Sequence, residues 1–269
     1  MQAFQQDIRF SVVMNRIHAN PGNLWNVLKR WGISKPRGNM YFSKISLQPR
    51  ASDDPIFWSG MGTTYQAHHR VWDLFSDGPD RERDFLYRQE YTTGLPAFIC
   101  VSARTPDDRH GMWNVATKEY APVLHEGQRL RFSLRANPIR TRWIEETDGK
   151  KYHKRHDVVM DRKKRLRDES IPKSEWPDLQ QIVQDEGYEW LASRADEHGF
   201  FVSPADVVAG GYVQQKFLKK KGKHLIQIST IDFDGILKVI DPEKMFTTLM
   251  DGIGPSKGFG CGLLLVKPV

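Results

Sequence analysis

The chain reads as an α+β protein of two tandem ferredoxin-like (RRM-like, βαββαβ) domains, the second less regular than the first. Three observations predict this. From Met40 onward, alternating and helical apolar patterns succeed one another in the order β-α-β-β-α-β. A looser version of the same succession runs on to Val269. Finally, 269 residues at 39% hydrophobic and 27% charged hold material for one sizeable core or two smaller ones. That composition excludes a disordered tail, a disulfide miniprotein and a coiled coil.

Residues 1–39 carry a short strand, Phe10–Met14, and a helix in which Asn20 caps, Pro21 suits the first turn, and Leu24, Leu28 and Trp31 share a face. Pro36 and Gly38 mark a linker, so 1–39 is read as an extension: an appendage, or the product of a start codon placed too early. Residues 40–138 form the expected N-terminal domain. It contains the alternating strand Met40–Leu47, a helix capped by Thr63 or Thr64 and running to Phe75, strands Phe85–Glu90 and Ala97–Ala103, a weak helical stretch, and a closing strand Leu130–Ala136. Residues 139–269 form the C-terminal domain. Strand material at Arg140–Ile144 and Asp157–Met160 precedes a helix over Pro177–Glu197. Phe200–Val202 and Gly211–Phe217 follow. A hairpin Leu225–Phe233/Ile236–Ile240 turns at Asp234-Gly235, and a helix Pro242–Met250 leads to the last strand, Gly262–Lys267.

The net charge of +7 is unevenly spread. Arg129–Arg167 holds 14 Lys/Arg against 5 Asp/Glu, a local +9 that exceeds the total. Lys216, Lys219, Lys220, Lys221 and Lys223 form a second basic cluster, and residues 168–198 between them carry nine acids and two bases. Tyr152, His153 and His156 interleave with Lys150, Lys151, Lys154 and Arg155, which combines stacking rings with phosphate-binding cations. A polyanionic partner, nucleic acid, follows from this pattern better than a merely solvated face. The first ten residues lack a signal-peptide pattern, no apolar run spans a bilayer, and two cysteines suit a reducing compartment, so a soluble cytoplasmic protein is expected.

Gly252-Ile-Gly254-Pro-Ser-Lys257-Gly258-Phe-Gly260-Cys-Gly262 places five glycines in eleven positions. Such a backbone turns sharply and approaches a ligand without side-chain obstruction; its N–H groups cradle phosphate and Lys257 adds a cation. No Ser/Thr follows Lys257, so it is not a Walker A loop, and Lys257 stands where a dinucleotide fingerprint has its third glycine.

This loop, at the C-terminus of a tandem ferredoxin-like chain, resembles the signature of the RAMP superfamily of CRISPR RNA-processing proteins, and more closely the CasE-type endoribonucleases of type I-E systems. Three further segments carry the resemblance: Met40–Lys44; Tyr65–Phe75 followed by Arg83–Tyr87; and Leu134–Thr141. Together they stand in the family's order across residues 40–269. The resemblance implies a metal-independent endoribonuclease, without cofactor, that cuts precursor CRISPR RNA at a repeat stem-loop. A ribose 2′-OH attacks the adjacent phosphorus, leaving a 2′,3′-cyclic phosphate and a 5′-OH. It also implies retention on the crRNA 3′ hairpin as a subunit of the Cascade complex. The family's catalytic histidine falls on His68 and its tyrosine partner on Tyr65, three residues apart and so on one helical face. Which of the two takes the 2′-proton stays open. His69, about 100° around the helix, is expected to be dispensable. Gly252, Gly254, Lys257, Gly258, Gly260 and Gly262 are expected to contact RNA, as are Arg135 and Arg140. Lys150, Lys151, Lys154, Arg155, Arg162, Lys163, Lys164, Arg165 and Arg167 are expected to grip the stem through its phosphates.

Three competing readings stand beside this one. A metal nuclease would use Asp232 and Asp234 or His153-x-x-His156, but the first pair is explained by the hairpin turn and the second is surrounded by cations. A non-catalytic RAMP-type RNA-binding subunit would have no need for Tyr65 and His68. A helix-turn-helix regulator in 1–39 lacks its second helix.

Overall fold

The structure, a computed structural model, describes residues 39–53, 64–76, 78, 82–92, 94–145, 151–218 and 225–269. Met40–Val269 forms one compact unit, and the strand and helix expected before residue 39 lie outside the described residues. Among the described residues, ten strands and four α-helices follow one another. They are β1 (Tyr41–Leu47), α1 (Thr64–Asp73), β2 (Phe85–Thr92), β3 (Leu95–Ser102), β4 (Trp113–Glu119), β5 (Arg129–Ala136), β6 (Ile139–Glu145), β7 (Lys151–Asp157), α2 (Val158–Asp168), α3 (Leu179–Ala195), β8 (Phe200–Leu218), β9 (Leu225–Val239), α4 (Pro242–Asp251) and β10 (Leu264–Pro268).

Two four-stranded antiparallel sheets carry the fold, ordered β2-β3-β1-β4 and β10-β5-β9-β8. Counted within each sheet both run 4-1-3-2, so both are ferredoxin-like. The second domain departs from regularity by an insertion after its first strand, where β6 and β7 form a separate two-stranded ribbon and α2 follows. Each sheet packs its helices over its own core. In the first, Ile45, Leu47, Phe85, Tyr87, Phe98 and Trp113 meet Ala67, Val71, Leu74 and Phe75 from α1 and the turn after it. The second centres on Trp190, Phe200, Phe233, Leu237 and Leu249. A third cluster joins Leu86 and Val101 of the first sheet to Leu263, with Leu265 packed against it, so the sheets touch through the faces turned away from their helices.

Three expectations are corrected. The strand near Leu130–Ala136 does not close the first sheet. It hydrogen-bonds to β9 and β10 and opens the second, while Trp113–Glu119 takes the edge beside β1, where a weak helix was expected. Trp113 is buried and Val115 half-buried on the core side, a period of two that polar neighbours obscured. Asp157–Met160 is the start of α2 rather than strand: Asp157 accepts from Val159 and Met160 N–H and caps it. Asp234-Gly235 is no turn. β9 runs unbroken through it, opposite Val207 and Val208 of β8, and the connection between the two strands lies in residues 219–224, outside those described. Gly235 stands beside a register shift in β8 where Asp206 crosses its Cα: a Cβ there would collide with the Asp206 carbonyl oxygen. Glycine therefore marks a close approach of backbones, a meaning that sequence cannot separate from a turn.

Gly235→Ala should thus lower stability by about 1–3 kcal/mol in urea denaturation, whereas Gly78→Ala, with nothing within 4 Å of its Cβ, changes it by less than about 0.5 kcal/mol. Equal tolerance at both positions would contradict the continuous β9.

Candidate active site and nucleic-acid interface

Helix α1 divides into stripes by its own periodicity. Ala67, Val71 and Leu74 face the core, His68 and Trp72 sit at the rim, and His69 and Asp73 are exposed. The His68 ring lies 5.8 Å from that of Trp72 and 5.7 Å from that of Phe259 in the glycine-rich loop. It is held between a helix of one domain and a loop of the other. Tyr65 begins the same helix one turn earlier, and its side chain lies outside the described residues.

The loop is fixed at both ends by backbone bonds. Ile253 N–H donates to the Gly262 carbonyl at 2.9 Å and Gly262 N–H to the Arg135 carbonyl at 2.7 Å. At this crossing a Cβ on Gly252 would stand 2.7 Å from the Gly262 oxygen, and φ is +75° at Gly252 and +90° at Gly262, so only glycine closes it. Buried Ile253, Cys261 and Leu263 root the loop in apolar surroundings. Between them Lys257–Phe259 forms a single 3₁₀ turn, with Ser256 in the left-handed region and the Asn137 amide donating to its hydroxyl at 2.6 Å. The Tyr87 hydroxyl of β2 donates to the Gly258 carbonyl at 3.1 Å, tying the turn to the first sheet.

A Cβ placed on Gly258 would lie 3.5 Å from Arg83 Nη1 and 3.7 Å from His68 Cε1, so imidazole and guanidinium converge on one point of the turn. The backbone beside Arg83 is braced: Arg104 clasps the Asp84 carboxylate at 2.7 and 3.0 Å and donates to the Phe75 carbonyl at 2.7 Å. Burial, and then His69, push the His68 pKa below 6.5; the Gly258 backbone acts in the other direction and Arg83 adds to the lowering. Its Nδ1 is buried beside the turn without completing a well-aligned hydrogen bond. Arg83 is lowered by burial, and Lys257 by burial with Arg83 adding to it against Asp251. Imidazole and guanidinium thus share one half-buried place, with the Lys257 ammonium near enough to feel the charges of Arg83 and Asp251. Sequence reasoning gave no role to Arg83, Phe259 or Tyr87; all three lay inside the segments that carry the resemblance, but nothing local told Arg83 from its neighbours Arg81 and Glu82.

The other expected residues divide into engaged and open. Arg135 holds Asp232 with two bonds, 2.7 and 2.8 Å, and reaches the Gln89 carbonyl at 3.4 Å. Both oxygens of one carboxylate in the metal reading are therefore occupied. Arg140 donates to Glu186 at 2.7 Å; Arg165 bonds the other oxygen of Glu186, and Arg162 approaches it at 3.9 Å. Arg142 donates to Asp161 at 2.7 Å, with Arg165 also 3.6 Å from it. Two buried acids thus gather four arginines on β6 and α2, a cluster with net positive charge that was not expected. Lys154, Arg155, Lys164 and Arg167 are exposed and Lys163 half-buried. Lys150 lies outside the described residues, as does the Lys151 side chain. Gly254 and Gly260, at φ +77° and +78°, lie against Trp190 and Tyr87 rather than open space. Among the described residues no group of three or more His, Cys, Asp or Glu is placed to hold a metal. Burial pushes the Cys261 thiol up to about 12 and Cys100 higher still, so neither supplies a thiolate. No helix among the described residues is long and apolar enough to cross a membrane.

Fold and site together define a tandem ferredoxin-like protein in which a glycine-rich turn of the second domain closes on a helical histidine of the first. The chain belongs to the CRISPR associated protein family, whose model matches residues 40–268. It is 29% identical over 240 residues to the CRISPR system Cascade subunit CasE of Escherichia coli, covering 86% of this chain and all of that one. It is likewise 29% identical over 250 residues to the CRISPR-associated endoribonuclease Cse3 of Thermus thermophilus, covering 85% and 100%. Among solved structures, CRISPR endoribonuclease Cse3 bound to a 19-nucleotide RNA superposes with a TM-score of 0.62 at 27% identity, covering 86% of this chain and all of that one.

If Glu186 is the hub of the arginine cluster, Glu186→Gln should cost about 1–3 kcal/mol in thermal or urea denaturation. The range is set below that of a fully buried pair because the arginines are about one-third exposed. Arg162→Gln, at the longest contact, should cost less than about 0.5 kcal/mol. Equal costs would remove the hub.

Proposed function

We propose that this chain is a metal-independent endoribonuclease of precursor CRISPR RNA. It cuts at the base of a repeat stem-loop and remains on the crRNA 3′ hairpin as a subunit of a Cascade complex. The observation that carries the reading is the convergence of His68 and Arg83 on Gly258, with Lys257 in the same turn. The relatives named a Cascade subunit and an endoribonuclease, and the RNA-bound neighbour, support the substrate class and the partners.

The chemistry is a transesterification. The bond from the 2′-oxygen to phosphorus forms, the bond to the 5′-oxygen breaks, the 2′-proton leaves to a base, and the departing 5′-oxygen gains a proton. An imidazole whose pKa lies below its ordinary value is neutral at pH 7 and suits the base. His68 takes that role and Tyr65 the second proton transfer. Arg83 and Lys257 supply cations where charge develops on the phosphorane, in a half-buried place that strengthens them. The open cations Lys154, Arg155, Lys164 and Arg167 contact the stem phosphates. Arg135, Arg140, Arg162 and Arg165 first position their surroundings through internal pairs. The two domains divide between β4 and β5, so that the active site is built by both.

The decisive experiment is single-turnover cleavage of labelled repeat RNA in EDTA. Wild type should cut once. His68→Ala should bind with unchanged affinity and cut about 10²–10⁴-fold more slowly; Arg83→Ala should lose about 10²–10³-fold; and His69→Ala should stay active. Cleavage abolished by EDTA would leave a metal nuclease, normal cleavage by His68→Ala would remove His68 from the chemistry, and binding without cleavage by wild type would leave a non-catalytic RAMP-type RNA-binding subunit.

The pH dependence separates base from acid. Protonation of His68 below its lowered pKa removes the base, so the rate should rise with pH through the acidic range and level off earlier than it would for an imidazole of ordinary pKa. A rate that falls with rising pH over that range would make His68 the acid.

A further inference from the structure

The β6–β7 ribbon is anchored on one side only. Residues opposite one another in an antiparallel pair share a face, and faces alternate along the strand. Opposite pairs are Arg140 with His156, Thr141 with Arg155, Arg142 with Lys154 and Trp143 with His153. Arg140 and Arg142 point to the buried carboxylates Glu186 and Asp161. The root is fixed by Asp157, which caps α2 and accepts from the Tyr212 hydroxyl at 2.9 Å. The opposite face, with Thr141, Trp143, His153 and Arg155, is therefore turned to solvent. All four are exposed, Trp143 at 64%. On it the Trp143 and His153 rings lie against each other with centroids 3.6 Å apart.

An isolated exposed apolar side chain needs no explanation, so the company of Trp143 decides the matter. Its described exposed neighbours on this face are histidine, arginine and threonine, and the one described aliphatic residue of the face, Ile139, is half-buried at the root of the ribbon, so no protein-docking patch forms. A large ring, backed by a second ring and flanked by cations, has the makeup of a stacking platform for a nucleobase whose phosphate is met by Arg155. A base inside a duplex already has both faces covered, so the partner is an unpaired one. We propose that Trp143, backed by His153, stacks on an unpaired nucleobase of the bound RNA, in the hairpin loop or in a strand flanking the stem. The platform sets which hairpins are held, by the position of that nucleotide. This rests on the reading of the ribbon as an RNA-binding element.

The test places 2-aminopurine singly at each unpaired position of the repeat RNA and titrates wild type, Trp143→Phe and Trp143→Ala. Binding of wild type should quench one position, in the loop or in a flank, which identifies the source. Trp143→Phe should retain the quench. Trp143→Ala should lose it and weaken binding about 5- to 100-fold, with the melting temperature unchanged. The slope of log affinity against log salt should also stay the same, because no phosphate contact is removed. Wild-type affinity and quench in Trp143→Ala overturn the platform while leaving the endoribonuclease reading intact. The same holds if that variant binds RNA normally but fails to join the other Cascade subunits, which would make Trp143 a protein contact. No RNA binding by wild type overturns both readings.

Discussion

Everything at the site depends on one backbone crossing. Gly252 and Gly262 bring two chain segments so close that Gly262 bonds Ile253 on one side and Arg135 of β5 on the other. The glycine-rich loop is thereby clamped to the central strands of the second sheet before it reaches the first domain. With its ends fixed, the Lys257–Phe259 turn is tied to β2 by the Tyr87 hydroxyl and meets α1 through the Phe259 ring against His68. A turn anchored in this way holds Gly258 against His68 and Arg83.

A second constraint is electrostatic. The basic stretch Arg129–Arg167 does not present all its charge to solvent. Asp161 and Glu186 are buried and take up Arg140, Arg142, Arg162 and Arg165, and Asp232 takes up Arg135. Burying these carboxylates is tolerable only because the arginines satisfy them, and the pairs fix the ribbon and α2 relative to α3. The cations left over form the outer face. The acidic helix that interrupts the basic clusters in sequence therefore serves, through Glu186, to position the basic elements beside it.

The sequence was legible wherever a local pattern had one meaning. The spacing of Val71, Trp72, Leu74 and Phe75 predicted α1, and the 100° step between neighbours separated His69, which is exposed, from His68, which is half-buried. Pro242 marked the start of α4, whose first N–H groups Asp241 caps in the structure. Patterns with two meanings were misread. Asp234-Gly235 has turn composition yet lies in mid-strand; Asp157–Met160 has strand composition yet begins a helix; and β4 and β5 alternate alike although they belong to different sheets.

Apolar periodicity by itself determined the α+β class and most of the elements, because each depends on neighbours within about a turn of chain; His68 and the loop were assigned roles only through the resemblance of the segments that carry them. Tertiary structure alone decided which sheet receives β5, that Arg83 meets His68 across Gly258, and which arginines are spent on buried acids. Those outcomes join residues far apart in sequence, such as Arg135 with Asp232 and Arg140 with Glu186. They are set by which strand edges and which unpaired charges remain once the cores have closed, and no local pattern encodes that.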